Sequence, residues 1–317
     1  MFGRRTFKPV ASVVIPAYKS RDTIALCLSA LESQETNVPY EVIVVESSGD
    51  GAGDVVRAQF PWVWLIESQE RLLGGAARNL GAAEATGELL MFIDSDCVAE
   101  PRWLEKMHMA HQEWECSAVG GAILNGNPET ASSVSAYISE NSDFFPVGSP
   151  RYMDYLPSGN IAYRAEVFRK YAGFDPQAVA YQDLTFNKQL FKAGEKLLFH
   201  PDIKVWHHHR TTVREHFRHM ARRGRAAVAA RRKGLLIGAS WVERPILAFL
   251  AAPGLFLRKG TVFPYRMLRA YPSQALSLLK SLPCFYAGLA AWHYGFLAEV
   301  VASRNTSAEK AEKCTTS

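Results

Sequence analysis

Cysteine is scarce in this sequence and follows no recognisable pattern. The five cysteines among 317 residues show neither paired nor metal-type spacing, which argues against a disulfide-rich secreted scaffold and against a zinc-ribbon protein. The sequence before Pro16 also has no long apolar stretch, so we expect no signal peptide. Both absences favour a reduced, cytosolic compartment.

Net charge is modest, at +5, but the cations are unevenly distributed. Ten Lys and Arg residues fall between Lys204 and Lys233, which suits an anionic partner such as lipid headgroups, nucleic acid or a phosphorylated substrate. A solvated helix face is the alternative. Only Trp206 and Phe217 lie near these cations. Because that is too few aromatic rings for base stacking, we do not expect nucleic-acid binding.

Strand and helix patterns alternate in the first hundred residues. The runs "ASVVIPAY", "WVWLI" and "LLMFID", and the strand that begins "YEVIVVESSGDGAGD", lack a polar face. Helical patterns such as "RDTIALCLSALESQ" and "GGAARNLGAAEATGE" separate them. Such an alternation is typical of an α/β fold with a mostly parallel sheet flanked by helices. We expect Pro16 to end the first strand.

Polar side chains follow three of these strands. Pro16-Ala17-Tyr18 comes after the first, Glu46-Ser47-Ser48 after the second and Asp94-Ser95-Asp96 after "LLMFI". In sheets of this kind, ligands bind beyond the carboxyl ends of the strands. The three loops are therefore expected to converge on one crevice.

Asp94 and Asp96 need a further explanation because two neighbouring carboxylates repel each other. A divalent cation between them relieves the repulsion, and oxygen ligands favour Mg²⁺ or Mn²⁺, which also bind substrate phosphates. The alternative is structural, with Asp94 capping the helical region near Pro101 and Asp96 solvated. The two acids alone leave both interpretations open.

A family resemblance is carried by five segments in a fixed order. They are "VVIPAYKS", "EVIVVESSGD", "GGAARNLGAAEATGELLMFIDSD", "LPSGNIAYRAEVFRKYAGFD" and "YQDLTFNKQLFKAGEKLLFHPDIKVWHH". Together they resemble the inverting, family-2-type glycosyltransferases with a GT-A fold, over residues 11–210. The resemblance implies transfer of a sugar from a nucleoside-diphosphate sugar, with a UDP-sugar favoured, to a hydroxyl of a glycan or lipid-linked acceptor, as in polysaccharide biosynthesis.

The resemblance assigns the base-binding side to the first two loops. Pro16 and Tyr18 match the loop that packs against the nucleotide base, although Lys19 stands where the family often has Asn. Glu46 occupies the place of an Asp that accepts a hydrogen bond from the base. Glu is one methylene longer than Asp, so the preferred base is the property that this departure puts in question.

The diphosphate side falls to Arg78 and Asp94 by the same resemblance. Arg78 matches an arginine that faces the diphosphate, a task suited to a fixed donor fork. Its alternative is a surface position paired with Glu84 or Glu88. Asp94 would serve the nucleotide side, and Asp96 would bind the divalent metal.

One histidine after the last strand completes the metal site in some relatives. The resemblance favours His207 for this role, by position. His208 and His209 are expected to belong to the basic face. A structural histidine remains the alternative for all three.

The acceptor side and the catalytic base lie further along the chain. Gly159 and Asn160 match an acceptor-side segment, where Gly permits a close backbone approach; an ordinary turn is the alternative. Asp183 matches the general base, and Gln182 stands where relatives usually have Glu. Asp183 is also suited to start a helix that continues from Leu184, and a carboxylate can serve both purposes.

Two readings of function follow from these assignments. In the first, Asp183 deprotonates the acceptor hydroxyl during a single inverting displacement assisted by a divalent metal. In the second, the protein is a non-catalytic relative that binds a nucleotide sugar or glycan; the departures at Lys19, Glu46 and Gln182 favour it, and the retained acids disfavour it.

The last part of the chain has a different composition. The apolar stretch Pro245–Leu257 is too short to span a bilayer, and Ser281–Ala298, without Asp, Glu, Lys or Arg, is borderline. We expect a catalytic domain at residues 1–233 and a helical, membrane-associated extension at 234–317. The extension would lie on, or insert one segment into, the anionic cytoplasmic face of the cell membrane; a helical subdomain or a dimer contact is the alternative.

Overall fold

The computed structural model describes residues 8–315, and side-chain surroundings as far as Ser303. Within this part, the strands are β1 (Ala11–Ala17), β2 (Tyr40–Glu46), β3 (Trp64–Glu67), β4 (Leu89–Ile93), β5 (Cys97–Ala99), β6 (Ala118–Asn125), β7 (Arg151–Met153), β8 (Asn160–Arg164) and β9 (Leu197–His207). The α-helices are α1 (Ile24–Glu32), α2 (Ala52–Gln59), α3 (Gly74–Glu84), α4 (Trp103–Glu113), α5 (Ala131–Asn141), α6 (Ala165–Lys170), α7 (Gln182–Lys192), α8 (Val213–Arg232), α9 (Ala239–Glu243), α10 (Pro245–Ala270) and α11 (Ala275–Thr315).

The described strands form one mixed sheet in the order β3-β2-β1-β4-β8-β6-β9-β5, with β7 paired to β9. β1 to β4 are mutually parallel, as their alternation with helices predicts. β8 breaks this pattern because it pairs antiparallel with both β4 and β6. The sheet is therefore mixed rather than mostly parallel, and its parallel half is the part that the sequence predicted.

β1, β2 and β4 are buried on both faces, in agreement with their mostly apolar sequence, whereas the edge strand β3 is only partly buried. Alternate residues supply the core on either side: Val13 and Ile15 pack on one face, and Val14 on the other. Pro16 lies inside β1 rather than after it. A proline is tolerated there because β4 pairs with β1 only as far as Val14.

The chain folds as two compact units. The first, here called the sheet unit, comprises the described part of Met1–Gly126 together with Asp143–His208, and it contains the described strands. The second, the helical unit, comprises Asn127–Ser142 and the described part of His209–Ser317. The basic helix α8 thus belongs to the helical unit. The division at residue 233 that the sequence suggested stays a prediction.

Within the helical unit, α8 and α11 cross at very short range. A Cβ on Gly224 would lie 2.0 Å from the Trp292 carbonyl oxygen, and one on Gly295 would lie 2.0 Å from that of Ala221. Arg231 is buried beside this crossing, with its guanidinium 4.9 Å from the Phe296 ring centre. Part of the basic sequence is therefore internal and does not form a solvated face.

Two helices of the helical unit are long and apolar enough to cross a membrane, judged by length and composition alone. They cover Pro245–Ala270 and Pro272–Ser303. The expectation that the first apolar segment is too short to span is corrected by this finding. That expectation considered only the uncharged stretch Pro245–Leu257, whereas the helix continues through Arg258 and Lys259 to Ala270.

Candidate functional site

The loops after β1 and β2 are joined by hydrogen bonds at the carboxyl edge of the parallel half. The Lys19 amide donates to Ser48 Oγ at 2.9 Å, and the Arg21 amide donates to Asp50 Oδ2 at 3.0 Å. β4 ends at the same edge, with Asp94 directly after it. Parallel strand order therefore brings the three predicted loops to one edge of the sheet.

Glu46 holds the second loop in place. Its side chain is buried, and Oε1 accepts hydrogen bonds from the Ser48 amide at 2.6 Å, the Ser48 hydroxyl at 2.5 Å and the Gly49 amide at 3.1 Å. A carboxylate has about four acceptor positions, and most of those on Glu46 are used within the loop. Its contact with a nucleotide base stays a prediction.

Tyr18 presents an aromatic surface beside these loops. Its ring is 38% exposed, and the Arg71 guanidinium lies 4.5 Å from the ring centre. A half-exposed ring with a cation on one face is suited to stack against a planar base. Pro16, two residues before Tyr18, lies within β1 and is partly buried.

Arg78 forms an ion pair with Asp94. The arginine projects from α3 and is nearly buried, and its Nη2 donates to Asp94 Oδ1. The alternative partners Glu84 and Glu88 are therefore not the ones that Arg78 binds. This pair leaves Asp94 compensated by a fixed cation, so a metal ion is not the only group that relieves the repulsion between Asp94 and Asp96.

A candidate metal site lies at the ends of β4, β5 and β9. Asp94, Asp96, Cys97 and His207 each offer one donor atom, and the four atoms lie within 4.8 Å of one another. His207 Nε2 is 3.4 Å from Asp96 Oδ1. Carboxylate oxygens with an imidazole suit a divalent cation. The donor set therefore fits the metal implied by the resemblance, and Cys97 adds a thiol that the sequence analysis did not consider.

Gly159 packs directly against this cluster. A Cβ on Gly159 would lie 2.8 Å from Asp94 Oδ2, so only glycine allows the backbone to approach the carboxylate. The close approach that the sequence predicted at Gly159 exists, but what it approaches is Asp94.

Asn160 lies in the interior of the sheet unit, and its acceptor-side role stays a prediction. Its side chain is fully buried, its Oδ1 accepts from Trp103 Nε1 at 2.8 Å, and its Nδ2 donates to the carbonyls of Ala122 and Ile203. These bonds tie β8 to α4, β6 and β9, and they use both the oxygen and the nitrogen of the side-chain amide. The sequence of the turn before β8 does not show whether the Asn160 amide lies in the interior or at the surface.

Asp183 lies in the first turn of α7. Its Oδ1 accepts from the Leu184 amide at 2.8 Å, and its Oδ2 lies 3.3 Å from the Ser158 amide and 3.4 Å from the Ser158 hydroxyl. The carboxylate is partly exposed. The N-cap of α7 is Tyr181, so Asp183 is an acid within the first turn and not the cap that the sequence suggested.

Ser158 and Gly159 link the predicted base to the acid cluster. Ser158 contacts Asp183, and its neighbour Gly159 contacts Asp94. Near the start of α7, a Cβ on Gly74 would lie 2.9 Å from Arg78 Nη1 and 3.5 Å from Gln182 Nε2. The structure therefore brings Asp183, Asp94 and Arg78 into one region of the sheet unit.

His209 was expected on a basic face and lies elsewhere. It is buried in the helical unit, and its backbone amide donates to Asn127 Oδ1 at 2.8 Å. His208 is partly buried in the sheet unit and donates its amide to the Asp96 carbonyl at 2.8 Å. Three adjacent histidines thus have three different surroundings, and sequence position alone distinguished only His207.

A cavity of about 520 Å³ lies at the opposite edge of the sheet unit. Its walls include Lys8, Leu89, His108 and Arg164, near the start of β1 and β4. Parallel strands place their ligands at the other edge, and none of the candidate site residues lines this cavity.

Comparison with known proteins identifies the relatives of this chain. Residues 12–172 match the model of Glycosyl transferase family 2. Glycosyltransferase AglE of Haloferax volcanii is 30% identical over 204 residues, which cover 62% of this chain and 66% of that protein. The pre-mycofactocin glycosyltransferase of Mycobacterium tuberculosis is 30% identical over 146 residues, which cover 44% of this chain and 31% of that protein. The matches thus span less than two thirds of these relatives.

Solved structures show the same fold. A mannosyltransferase from Pyrobaculum calidifontis in complex with GDP-Man and Mn²⁺ has a TM-score of 0.57 at 21% identity, covering 94% of this chain and 87% of that one. S. aureus TarS 1–349 in complex with UDP has a TM-score of 0.51 at 18% identity, covering 93% and 91%. Both resemblances concern the fold, at identities too low to carry residue roles.

Proposed function

The chain belongs to glycosyl transferase family 2, and from that premise we propose that it is an inverting glycosyltransferase with Asp183 as its general base. The observation that carries the proposal is the link through Ser158 and Gly159, which puts a partly exposed carboxylate next to the Asp94–Arg78 pair. A proton acceptor and an anion-binding group thus lie side by side. Transfer between a diphosphate donor and a hydroxyl requires that combination.

The donor would lie along the carboxyl edge of the parallel half. Tyr18 offers a ring to the base, and Glu46 shapes the loop beside it. Arg78 binds Asp94 before the donor arrives and can turn part of its donor fork to the diphosphate. A UDP-sugar is the favoured donor, although the two solved relatives hold GDP-Man and UDP.

A divalent metal, Mg²⁺ or Mn²⁺, would be held by Asp96 and His207 with Asp94 beside them. When bound, the ion supplies positive charge to the diphosphate oxygens as negative charge grows on them. Because carboxylates repel an anion, a diphosphate can bind beside the two aspartates only together with a compensating cation.

The reaction is one displacement. The acceptor hydroxyl oxygen forms a bond to the anomeric carbon while Asp183 takes its proton, and the bond from that carbon to the diphosphate oxygen breaks with its electron pair on the leaving group. Arg78 stabilises that negative charge. General-base assistance of this kind contributes ~10²–10⁴-fold in rate.

The acceptor is proposed to be a glycan or a lipid-linked sugar at the cytoplasmic face of the cell membrane. Supporting this, α10 and α11 of the helical unit expose large apolar side chains, including Ile246, Leu250 and Leu257. Exposed cations of α8, such as Arg218 and Arg225, suit anionic headgroups. A membrane-bound enzyme would meet a lipid-linked acceptor where it is made.

The runner-up is a relative that binds a nucleotide sugar without transferring it. Gln182, next to Asp183, is the departure that favours this function, because relatives carry an acid there. Both functions predict donor binding, so only turnover distinguishes them.

The test is a donor screen with the purified full chain. UDP-, GDP- and dTDP-sugars are incubated with Mn²⁺, and released nucleoside diphosphate is measured with and without membrane extract as the source of acceptor. We expect release from one donor class, stimulated by extract and stopped by a chelator. Tight donor binding in calorimetry without release in any combination would favour the non-catalytic relative.

A further inference from the structure

Cys97 gives the acid cluster a donor atom that Mg²⁺ and Mn²⁺ chemistry does not need. It begins β5 and pairs directly with His207 of the antiparallel strand β9. Directly paired residues carry their side chains on the same face of the sheet. Cys97 is fully buried, whereas the side chains of Asp94 and Asp96 are 30% and 37% exposed. The thiol is therefore the floor of the cluster, and the carboxylates form its rim.

The four donor atoms are close to the spacing of a tetrahedral site. Zinc binds sulfur at about 2.3 Å and nitrogen or oxygen at about 2.0–2.2 Å, which separates tetrahedral donors by about 3.3–3.8 Å. The donors of Asp94, Asp96, Cys97 and His207 all lie within 4.8 Å, and the Asp96–His207 pair is already at 3.4 Å. Side-chain shifts of about 1 Å or less would bring the four donor atoms to these separations.

Donor chemistry separates two classes of metal at this place. Mg²⁺ requires oxygen ligands in octahedral geometry and keeps open positions for water or phosphate. Thiolate together with imidazole selects Zn²⁺ and its heavier congener Cd²⁺. Such an ion displaces one proton from Cys97 Sγ to solvent. The three resulting negative charges are then offset by the ion and by Arg78, which is paired with Asp94.

We propose that Asp94, Asp96, Cys97 and His207 form a closed, four-ligand site for thiophilic divalent cations, which overlaps the open site used by Mg²⁺ or Mn²⁺. Four protein ligands leave no coordination position for a diphosphate. Zn²⁺ or Cd²⁺ would therefore inhibit by occupying the site. The binding claim stands without the proposed transferase function; only the inhibition rests on that function.

The binding test uses Cd²⁺ alone with metal-free full-length protein. We expect sulfur-to-cadmium charge-transfer absorption in the ultraviolet that saturates at one equivalent. Cys97→Ser should abolish the absorption and weaken Cd²⁺ binding at least tenfold, while changing the affinity for Mn²⁺ less than twofold. Cys27→Ser is the matched control, because Cys27 is equally buried and its Sγ lies 3.6 Å from the Asp94 carbonyl oxygen, yet it is outside the cluster.

Absorption that is missing in the parent protein, or kept in Cys97→Ser, would overturn the proposal. Equal losses for Cd²⁺ and Mn²⁺ would do the same, since they would mean general damage to the site. If circular dichroism shows that the serine variant is unfolded, the test is repeated with Cys97→Ala, an apolar replacement at this buried position.

A second readout follows the inhibition. With Mn²⁺ present, Zn²⁺ should suppress nucleotide release by the parent protein at a concentration at least tenfold lower than for Cys97→Ser, each compared with its own zinc-free rate. If the parent protein shows no release at all, the transferase function fails while the Cd²⁺ titration still decides the metal proposal. Equal zinc sensitivity of both proteins contradicts the inhibitory part.

Discussion

At the scale of single residues, Gly159 is the position where the site has no spare room. A Cβ there would lie 2.8 Å from Asp94 Oδ2, so Gly159→Ala must move the carboxylate or the loop. Overpacking of this kind costs about 1–3 kcal/mol. We expect Mn²⁺ and donor affinity to fall about tenfold or more in calorimetry. Gly254→Ala, which meets nothing within 4 Å, is the control and should bind as the parent does.

Glu46 supports a second residue-scale prediction. If the loop that it organises reads the base, UDP should bind more tightly than ADP by about tenfold, the value of one good hydrogen bond. Glu46→Ala should remove this preference, because Ser48 and Gly49 lose their acceptor. Calorimetric titration of both nucleotides into both proteins measures the effect. Equal binding of UDP and ADP by the parent protein would contradict it.

His216 makes stability depend on pH. It is fully buried in the helical unit, and this burial, with His219 and Arg210 nearby and opposed by Glu140, lowers its pKa to about 4. Its pKa in the unfolded chain is about 6.5, so the unfolded state binds more protons between the two values, and stability falls as pH decreases through that range.

For one histidine with these pKa values, the free energy of unfolding should decrease by about 2 kcal/mol from pH 7 to pH 5. His216→Phe should remove that part of the dependence, measured by urea unfolding at both pH values. His208→Phe, which replaces a partly buried histidine of the sheet unit, is the control. An unchanged pH dependence in His216→Phe would refute the assignment.

The sequence singled out Asp94 and Asp96 by a local signal, because they directly follow a buried strand. Arg78 and Asp183 were assigned by the family resemblance, and their roles stay predictions. Cys97, Ser158 and Asn160 were not predictable in this way. Their surroundings are set by tertiary pairing, such as β5 against β9 and Asn160 against Trp103, which leaves no trace in a sequence window.

At the scale of elements, α10 carries the exposed apolar face on which the proposed membrane association depends. Ile246, Leu250 and Leu257 are 66–74% exposed and fall on one side of the helix. Arg258 and Arg269 fall away from that side, about a third of a turn around or more. This separation suits a helix lying in the membrane surface better than one that crosses it.

We therefore expect the full chain to sediment with vesicles that contain phosphatidylglycerol. Acidic substitutions on the apolar face of α10 should release it. Replacing Leu250 and Leu257 by Glu should reduce binding at least tenfold, since each buried leucine contributes about 1.5–3 kcal/mol. Val179→Glu changes an equally exposed apolar residue of the sheet unit and should have no effect. Unchanged vesicle binding by the α10 variant would show that this face is not the membrane-binding surface.

Element prediction worked in the first hundred residues, where strands alternate with helices, and did not identify β5, β6 or β7. β1, β2 and β4 are strands of five to seven mostly apolar residues that the sequence identifies. β5 and β7 have three residues each, and β8 runs antiparallel within the sheet. Strands this short depend on their partners rather than on their own composition, so the mixed character of the sheet could not be predicted.

At the scale of the whole molecule, the proposed function requires Asp183 to act as a base, in a chain that belongs to glycosyl transferase family 2. The site offers Asp183 two roles, because one oxygen accepts from the Leu184 amide and the other faces Ser158. An acid in the first turn of a helix contributes about 0.3–1 kcal/mol of stability. A base contributes ~10²–10⁴-fold in rate. These magnitudes differ enough to be separated on one sample.

The decisive measurement is the transfer rate and the melting temperature of Asp183→Asn, on the same preparation and with the donor identified by the screen. Asn keeps the shape and polarity of the side chain but cannot take the proton. If Asp183 is the base, donor and Mn²⁺ binding persist, the melting temperature shifts by a few degrees at most, and transfer falls ~10²–10⁴-fold. Transfer at the parent rate per folded molecule would contradict it.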